Sequence, residues 1–344
     1  MANLIGNASS NAFSGTEGAD IMLGLGGDDT LFGLPGNDQL FGNAGKDQLF
    51  GDTGSDTAAG GAGDDTVFGG DGGDALYGNI GNDQVFGNAG VDQLFGGDGN
   101  DTLWGGRDSD TLLGEAGEDT LYGDAGDDEL FGNEGIDRLF GGNGNDTLRG
   151  GREADSLFGE ADNDVLFGDI GDDIVNGNRG NDSLFGGEGN DSIRGGNGDD
   201  TLIGGEGDDY LLGEFGSDTV TGGAGTDTFV LSVGTGPDFI IDYLDQSDYI
   251  GLGDGLTFDQ IQIEQGFNLV DENLLSRFTI INGPDGKLLA ILASVSDPTL
   301  LTVDDFKVIG DTGLGSEGLP TDTLAGGSDT VTGGLSGTSS QTTL

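Results

Sequence analysis

The sequence predicts an all-β fold of a particular kind: a ribbon wound into stacked coils whose short strands form two parallel sheets. Three observations predict it. Aspartates recur every nine residues from Asp20 to Asp227, a span of 207 residues or 23 steps, so 24 repeats run without an insertion or deletion. Every position five residues ahead of those aspartates, from Gly15 to Gly222, is glycine. Every position two residues after them is apolar, mostly Leu as at Leu31, Leu40 and Leu49, with Val67, Ile193 and Ala58 among the variants.

The elements follow in chain order. Met1 to Phe13 has no basic stretch and no apolar run, so it does not read as a conventional secretory signal peptide. Gly6, Asn11 and Phe13 keep the register of the repeat with an uncharged residue in the aspartate column, which predicts a degenerate capping repeat over residues 1–14. In residues 15–230 the invariant glycine calls for φ > 0 or a close backbone approach. The next column is largely Gly, Asn or Asp, and 21 of 24 positions two residues before the aspartate are glycine, the exceptions being Asp108, Glu153 and Asp162. The first six residues of each repeat therefore predict a tight turn, and the last three a strand with one inward side chain. Two repeats back to back close one coil. The repeats then make about 12 coils, a stack roughly 58 Å long at the ordinary strand spacing.

After residue 230 the composition changes. Phe229 ends the apolar column, and Gly234 to Asp238 repeats the turn with a two-residue slip that makes Asp238 a further candidate ligand. Phe239–Tyr243, Phe258–Ile263 and Arg277–Ile281 predict longer strands, the last forming a hairpin with Leu288–Leu292 across Asn282–Lys287. Residues 231–310 are expected to form a small β cap. Residues 311–344 are Gly/Ser/Thr-rich and predict a disordered tail, which an export signal or an inert extension fits equally.

Composition narrows the chemistry. The 344 residues hold 75 glycines, 64 Asp and Glu, 10 Lys and Arg, no Cys and no His, for a net charge of −54. Disulfides, thiolate or imidazole metal sites, Cys nucleophiles and Ser-His-Asp triads are excluded. Such a charge repels nucleic-acid phosphates, and no apolar run is long enough for a membrane-spanning helix. Two thin rows of aliphatic side chains cannot offset the ordering entropy of this many glycines, so something else must hold the turns.

Coiling stacks each aspartate over the one 18 residues away. Asp20, Asp38, Asp56, Asp74, Asp92, Asp110, Asp128, Asp146, Asp164, Asp182, Asp200 and Asp218 line one edge; Asp29, Asp47, Asp65, Asp83, Asp101, Asp119, Asp137, Asp155, Asp173, Asp191, Asp209 and Asp227 line the other. Stacked carboxylates repel unless a hard cation sits between them. Carboxylates with turn carbonyls form the all-oxygen shell that Ca²⁺ prefers. Eleven gaps per edge offer roughly 22 positions, whose charge of about +44 would bring the net charge to about −10.

Repeats such as Gly96-Gly-Asp-Gly-Asn-Asp-Thr-Leu-Trp104 and Gly204-Gly-Glu-Gly-Asp-Asp-Tyr-Leu-Leu212 resemble the RTX (repeats-in-toxin, hemolysin-type) nonapeptide over residues 15–230. The resemblance implies a right-handed parallel β-roll with Ca²⁺ between turns. It also implies a secreted, extracellular bacterial protein exported by a one-step, type I channel through an uncleaved C-terminal signal. The expected function is a calcium-binding structural or cell-surface module that folds on Ca²⁺ outside the cell. RTX rolls are also found attached to enzymes, but this chain has no His-Glu-x-x-His and no Gly-x-Ser-x-Gly, so no catalysis is expected.

Three further patterns stand out. Phe32, Phe50, Phe68, Phe86, Trp104, Tyr122, Phe140 and Phe158 occupy the outward column of one sheet. They read as a stacking ladder that stiffens the sheet, or as a stripe for self-association or a cell-surface polysaccharide. A 45-residue echo links Gly106–Asp110 to Gly151–Asp155 and Arg149 to Arg194, the trace of a five-repeat duplication. The glycosylation sequons at Asn100 and Asn181 are discounted, since Asn there only happens to precede the aspartate.

Overall fold

Each strand is built from the alternation in the repeat. In a computed structural model describing residues 2–232, 236–243, 247–253, 256–257, 260–271, 274–283, 288–292 and 305–308, the aspartate, the apolar residue two later and the glycine two after that all face inward. The residues between them face out. Strand Thr102–Arg107 is typical: Leu103 and Gly105 are buried, Thr102 and Trp104 half-buried, and the preceding Asp101 buried. Successive strands alternate between two sheets, and within each sheet residue i pairs in parallel with residue i+18, as in Val85 with Leu103 and Leu103 with Leu121. The protein is a parallel β-solenoid with one nine-residue repeat per half-coil.

Two features differ from the sequence expectation. The strands are mostly six residues long rather than three, because the i to i+18 pairing continues past the glycine, as from Phe86 with Trp104 on to Asn88 with Gly106. Only about three residues are left to turn each corner. The stack is also longer, about 14 coils rather than about 12. At its start, Asn3–Asn7 pairs with Ile21–Leu25 and Ala12–Ser14 with Thr30–Phe32, a full coil ahead of the first aspartate edge. At its end, Asp238–Ile240 pairs with Thr219 and Val220, and Tyr249–Leu252 pairs with Thr228–Leu231.

The parallel ladders then receive Leu288–Leu292 beside Asp238–Ile240 and Phe306–Val308 beside Tyr249–Leu252. Leu274–Asn282 pairs antiparallel with Leu288–Leu292, as the hairpin predicts, and with Gln262–Asp271, a pairing the sequence pattern did not indicate; of the strand expected over Phe258–Ile263, residues 258–259 lie outside the described residues and only Gln262 and Ile263 are in this strand. Residues 284–287 of that hairpin, the start of the slipped turn at 233–235, and residues 311–344 lie outside the described residues.

The apolar column is the core. From Met22 to Phe229 every member is at most 4% exposed, and the two rows meet inside as one cluster. Outside, the eight aromatics stack face to face, with ring centroids 4.4 to 5.7 Å apart and planes within 12° of parallel. The opposite sheet repeats the device in pieces, with Tyr77 on Phe95, Phe167 on Phe185, and Arg149 over Phe167 at 4.3 Å. Stacking covers the ring faces and leaves mainly edges toward solvent. Pairs of this kind contribute ~0.2–1 kcal/mol each, so replacing Phe68, Phe86 and Trp104 by Ser together removes four stacks and should cost roughly 1–4 kcal/mol in denaturant unfolding of the calcium-loaded chain. Unchanged stability with weakened self-association would instead mark the stripe as a docking surface.

Candidate metal centre

The aspartates sit within the inner layer, at most 3% exposed from Asp20 to Asp227. Burial of a carboxylate demands partners, and the coil supplies one for each. The backbone N–H of one aspartate donates to Oδ1 of the aspartate 18 residues on, at 2.7 Å from Asp20 to Asp38 and 3.1 Å from Asp209 to Asp227. The ladder is directional: every N–H points toward the following coil.

The second oxygen has no such partner. Among the described residues, Oδ2 of 22 consecutive aspartates of the column, Asp29 to Asp218, is buried and accepts no hydrogen bond. The glycine column explains what faces it. A Cβ on Gly33 would lie 2.6 Å from Asp38 Oδ2 and 2.8 Å from the Gly51 carbonyl oxygen, and one on Gly105 would meet Asp110 Oδ2 and the Gly123 carbonyl at the same two distances. These glycines do not have positive φ; they are glycine because a carboxylate oxygen and a carbonyl oxygen from the next coil crowd the place a side chain would fill. The positive φ falls instead on the next column, as at Asn43, Asp52 and Gly61, and on the column two residues before the aspartate.

Among the described residues no three Asp, Glu, His or Cys side chains converge as a cage. The donors on offer are therefore a carboxylate oxygen from the column and backbone carbonyls, hard oxygen ligands that suit Ca²⁺. Orphaned buried oxygens, crowded by carbonyls and repeated at every coil, fit such an ion.

A family model described as the RTX calcium-binding nonapeptide repeat (4 copies) matches the chain in overlapping windows from residue 5 to residue 240, well over half its length. The chain belongs to the RTX calcium-binding repeat family. RTX nonapeptide repeats bind calcium. No curated protein matches the chain. Among solved structures it is similar to a subunit of the mannuronan C5-epimerase of Azotobacter vinelandii, with 22% identity over 54% of this chain and 91% of that one; the TM-score of 0.27 is too low to carry an argument.

The ends of the RTX column differ from its middle. Asp20 Oδ2 accepts from the Thr16 N–H at 2.6 Å and the Thr16 hydroxyl at 2.9 Å, while Ala2 N–H donates to Oδ1. Burial acts to raise this carboxyl, but those donors hold it at about 2. Asn11 takes the uncharged place in the other edge, and its N–H donates to Asp29 Oδ1 at 2.6 Å. At the far end the ladder outlives the nine-residue period: Asp218 N–H donates to Asp238 Oδ1 at 3.3 Å and Asp227 N–H to Asp248 Oδ1 at 3.2 Å. Asp238, Asp248 and Asp305 are all buried. Asp248 and Asp305 were not singled out from the sequence, because the spacing slips to 21 and then 57 residues. The available signal is local, an Asp placed directly before Tyr249-Ile250 or Phe306, as Asp227 is placed before Thr228-Phe229.

A second ladder runs outside the first. Where the residue before a ligand aspartate is Asn, Asp or Ser, its side-chain oxygen accepts in many repeats the N–H of its counterpart 18 residues later, as Asn82 Oδ1 does from Asn100 at 3.0 Å, Asn163 from Asn181 at 2.7 Å and Asp172 from Asn190 at 2.8 Å. Asn100 and Asn181 are thus turn fasteners, which is why Asn and Asp favour that column.

Burial, reinforced by neighbouring carboxylates, pushes the middle of the column far above the ordinary carboxylate range: Asp56 to about 6, Asp65 to about 7, and Asp110, Asp155 and Asp164 to about 8. Such raised groups give stability that is fully present below about pH 4 and lost as pH rises through about 6 to 8. In excess chelator the chain should therefore carry more β signal in circular dichroism at about pH 5 than at about pH 8, and calcium should erase the difference while releasing protons. Gly33→Ala should lower the calorimetric calcium count by roughly one ion, since its methyl group takes the space between the two oxygens.

Proposed function

We propose that the chain is a non-catalytic structural module of the extracellular space whose roll is ordered by calcium. One observation carries the reading: the buried, orphaned Oδ2 at 22 successive positions. Without a cation each of these oxygens is desolvated with nothing in return, and a net charge of −54 drives the coils apart. With Ca²⁺ between successive aspartates of an edge, the same oxygens become ligands, and the number of orphans supports roughly 22 positions. The carbonyls of the glycine column complete the shell in this reading.

Calcium dependence ties folding to compartment. Extracellular calcium modules work at about 10⁻⁴ to 10⁻³ M, so a chain of this kind stays loose at cytosolic calcium and threadable during export, then becomes rigid outside. The absence of His and Cys in the sequence supports a role without catalysis. A structural role fits the aromatic stripe as well, since face-to-face stacking stiffens the sheet and leaves few ring faces for a sugar or a second copy.

Circular dichroism during a calcium titration is the test. A cooperative gain of β signal near millimolar calcium, reversed by chelator, is expected; a chain with the same β content in excess chelator at neutral pH would refute the reading. Asp101→Asn and Asp119→Asn together should raise the calcium midpoint by about twofold or more without abolishing the transition.

A further inference from the structure

We propose that the first coil of the roll, with its strands Asn3–Asn7 and Ala12–Ser14, is a docking surface for a second copy of this chain, which meets it head to head about a two-fold axis. Such a contact needs an ordered roll, and rests on the calcium reading for that alone.

The two parallel ladders begin at this coil. Asn3–Asn7 pairs with Ile21–Leu25 and Ala12–Ser14 with Thr30–Phe32, and among the described residues neither has a strand on its other side. Ile21 N–H donates to the Ala2 carbonyl and Thr30 N–H to the Asn11 carbonyl, both at 2.9 Å. Backbone groups alternate sides along a strand, so those of Ala2, Leu4, Asn11 and Phe13 face the second coil. The N–H and C=O of Asn3, Ile5, Ala12 and Ser14 face outward. The apolar column is open here as well. Leu4 and Phe13 are half-buried, whereas Met22 and Leu31, one coil on, are fully covered.

Open edges are usually blunted by charge or proline. Residues 1–16 hold no Asp, Glu, Lys, Arg or Pro, and Glu17 comes only in the corner that leads to the second coil. Every later coil up to Asp227 carries at least two aspartates, in a chain of net charge −54. Approach of two copies is therefore least opposed at this end. The far end offers the first sheet no matching edge, because its parallel strand Leu288–Leu292 is covered by Leu274–Asn282 running antiparallel to it.

A second first coil does match. Turned about an axis through Leu4 and Phe13, it brings an antiparallel strand to both open edges at once. Asn3 then pairs with Ile5 of the other copy and Ile5 with its Asn3, while Ala12 and Ser14 exchange in the same way, so each outward N–H meets an outward C=O. Leu4 faces Leu4 and Phe13 faces Phe13 as closely spaced, non-hydrogen-bonded pairs, which carries both apolar rows across the junction. The same patch serves both copies, so assembly closes at two chains and yields one rod of about twice the length.

Sedimentation velocity of the full chain in about 2 mM CaCl₂, over roughly 1–100 µM protein, tests the contact; an interface one coil in size belongs to the weak class, so monomer and dimer should exchange in that range. Ile5→Pro removes an outward N–H that the chain's own ladder does not use. Two hydrogen bonds lost per dimer should weaken it roughly tenfold or more, with the calcium-induced circular dichroism unchanged. Ile80→Lys, at a side chain 57% exposed and four coils away, should dimerise as wild type does. The chain has no cysteine, so Leu4→Cys introduces a single thiol. With oxidised glutathione and calcium it should give a disulfide-linked dimer, since a non-hydrogen-bonded pair sets the two Cα atoms about 4.5 Å apart, within disulfide reach. Ile80→Cys should not cross-link. A wild-type chain that is monomeric throughout, an Ile5→Pro chain that dimerises like wild type, or a Leu4→Cys dimer that fails to cross-link, as in a head-to-tail contact or one through the aromatic stripe, overturns the interface and leaves the calcium reading standing. A chain with no β signal in calcium overturns both.

Discussion

The structure depends on what is done with a carboxylate inside the protein. Each coil buries an aspartate on each side, satisfies one oxygen with the N–H of the preceding coil, and leaves the other facing a neighbouring carbonyl. The rest of the repeat follows from that arrangement. Glycine is required five residues ahead because any side chain there would fill the space between the two oxygens. The leucine column is thin because its task is to keep the sheets apart at a fixed distance. The nine-residue period never slips because one inserted residue would break two hydrogen-bond ladders, one apolar row and one row of ligands at once.

Much of this was legible in the sequence because the repeat presents every chemical column 24 times. Asp29, Leu31 and Gly33 each announce a role through position alone, and the two-edge arrangement follows from winding two repeats per coil. What was not legible arises where backbone geometry decides. The strands extend through the glycine because ladder pairing tolerates a residue without a side chain, so Gly105 and Gly106 lie inside Thr102–Arg107 instead of in a turn. The outer ladder of Asn and Asp side chains is a matter of which N–H lies one coil away, and composition cannot distinguish it from a solvated turn. Asp248 escaped notice because the period had already broken, although the structure puts it in the same column by strand pairing.

The aromatic ladder was legible as a column but not as a stack. Strand alternation places Phe86 and Trp104 on one face, and only ring orientation decides whether faces or edges meet solvent. The same geometry accounts for Arg149, whose planar guanidinium takes a rung of the opposite sheet over Phe167 while pairing with Asp169 at 3.3 Å. A planar cation and an aromatic ring are equivalent occupants of such a rung.

That rung has a counterpart on the other side of the molecule. Arg149 lies in Thr147–Arg152 of one sheet and Arg194 in Ser192–Asn197 of the other, five repeats apart, and each reaches the acid 20 residues on, Asp169 and Glu214. An odd number of half-coils has carried a working ion pair from one face to its opposite. The two faces are therefore interchangeable hosts, and gene-level copying can lengthen the protein in single nonapeptides, free of any need to keep front and back distinct.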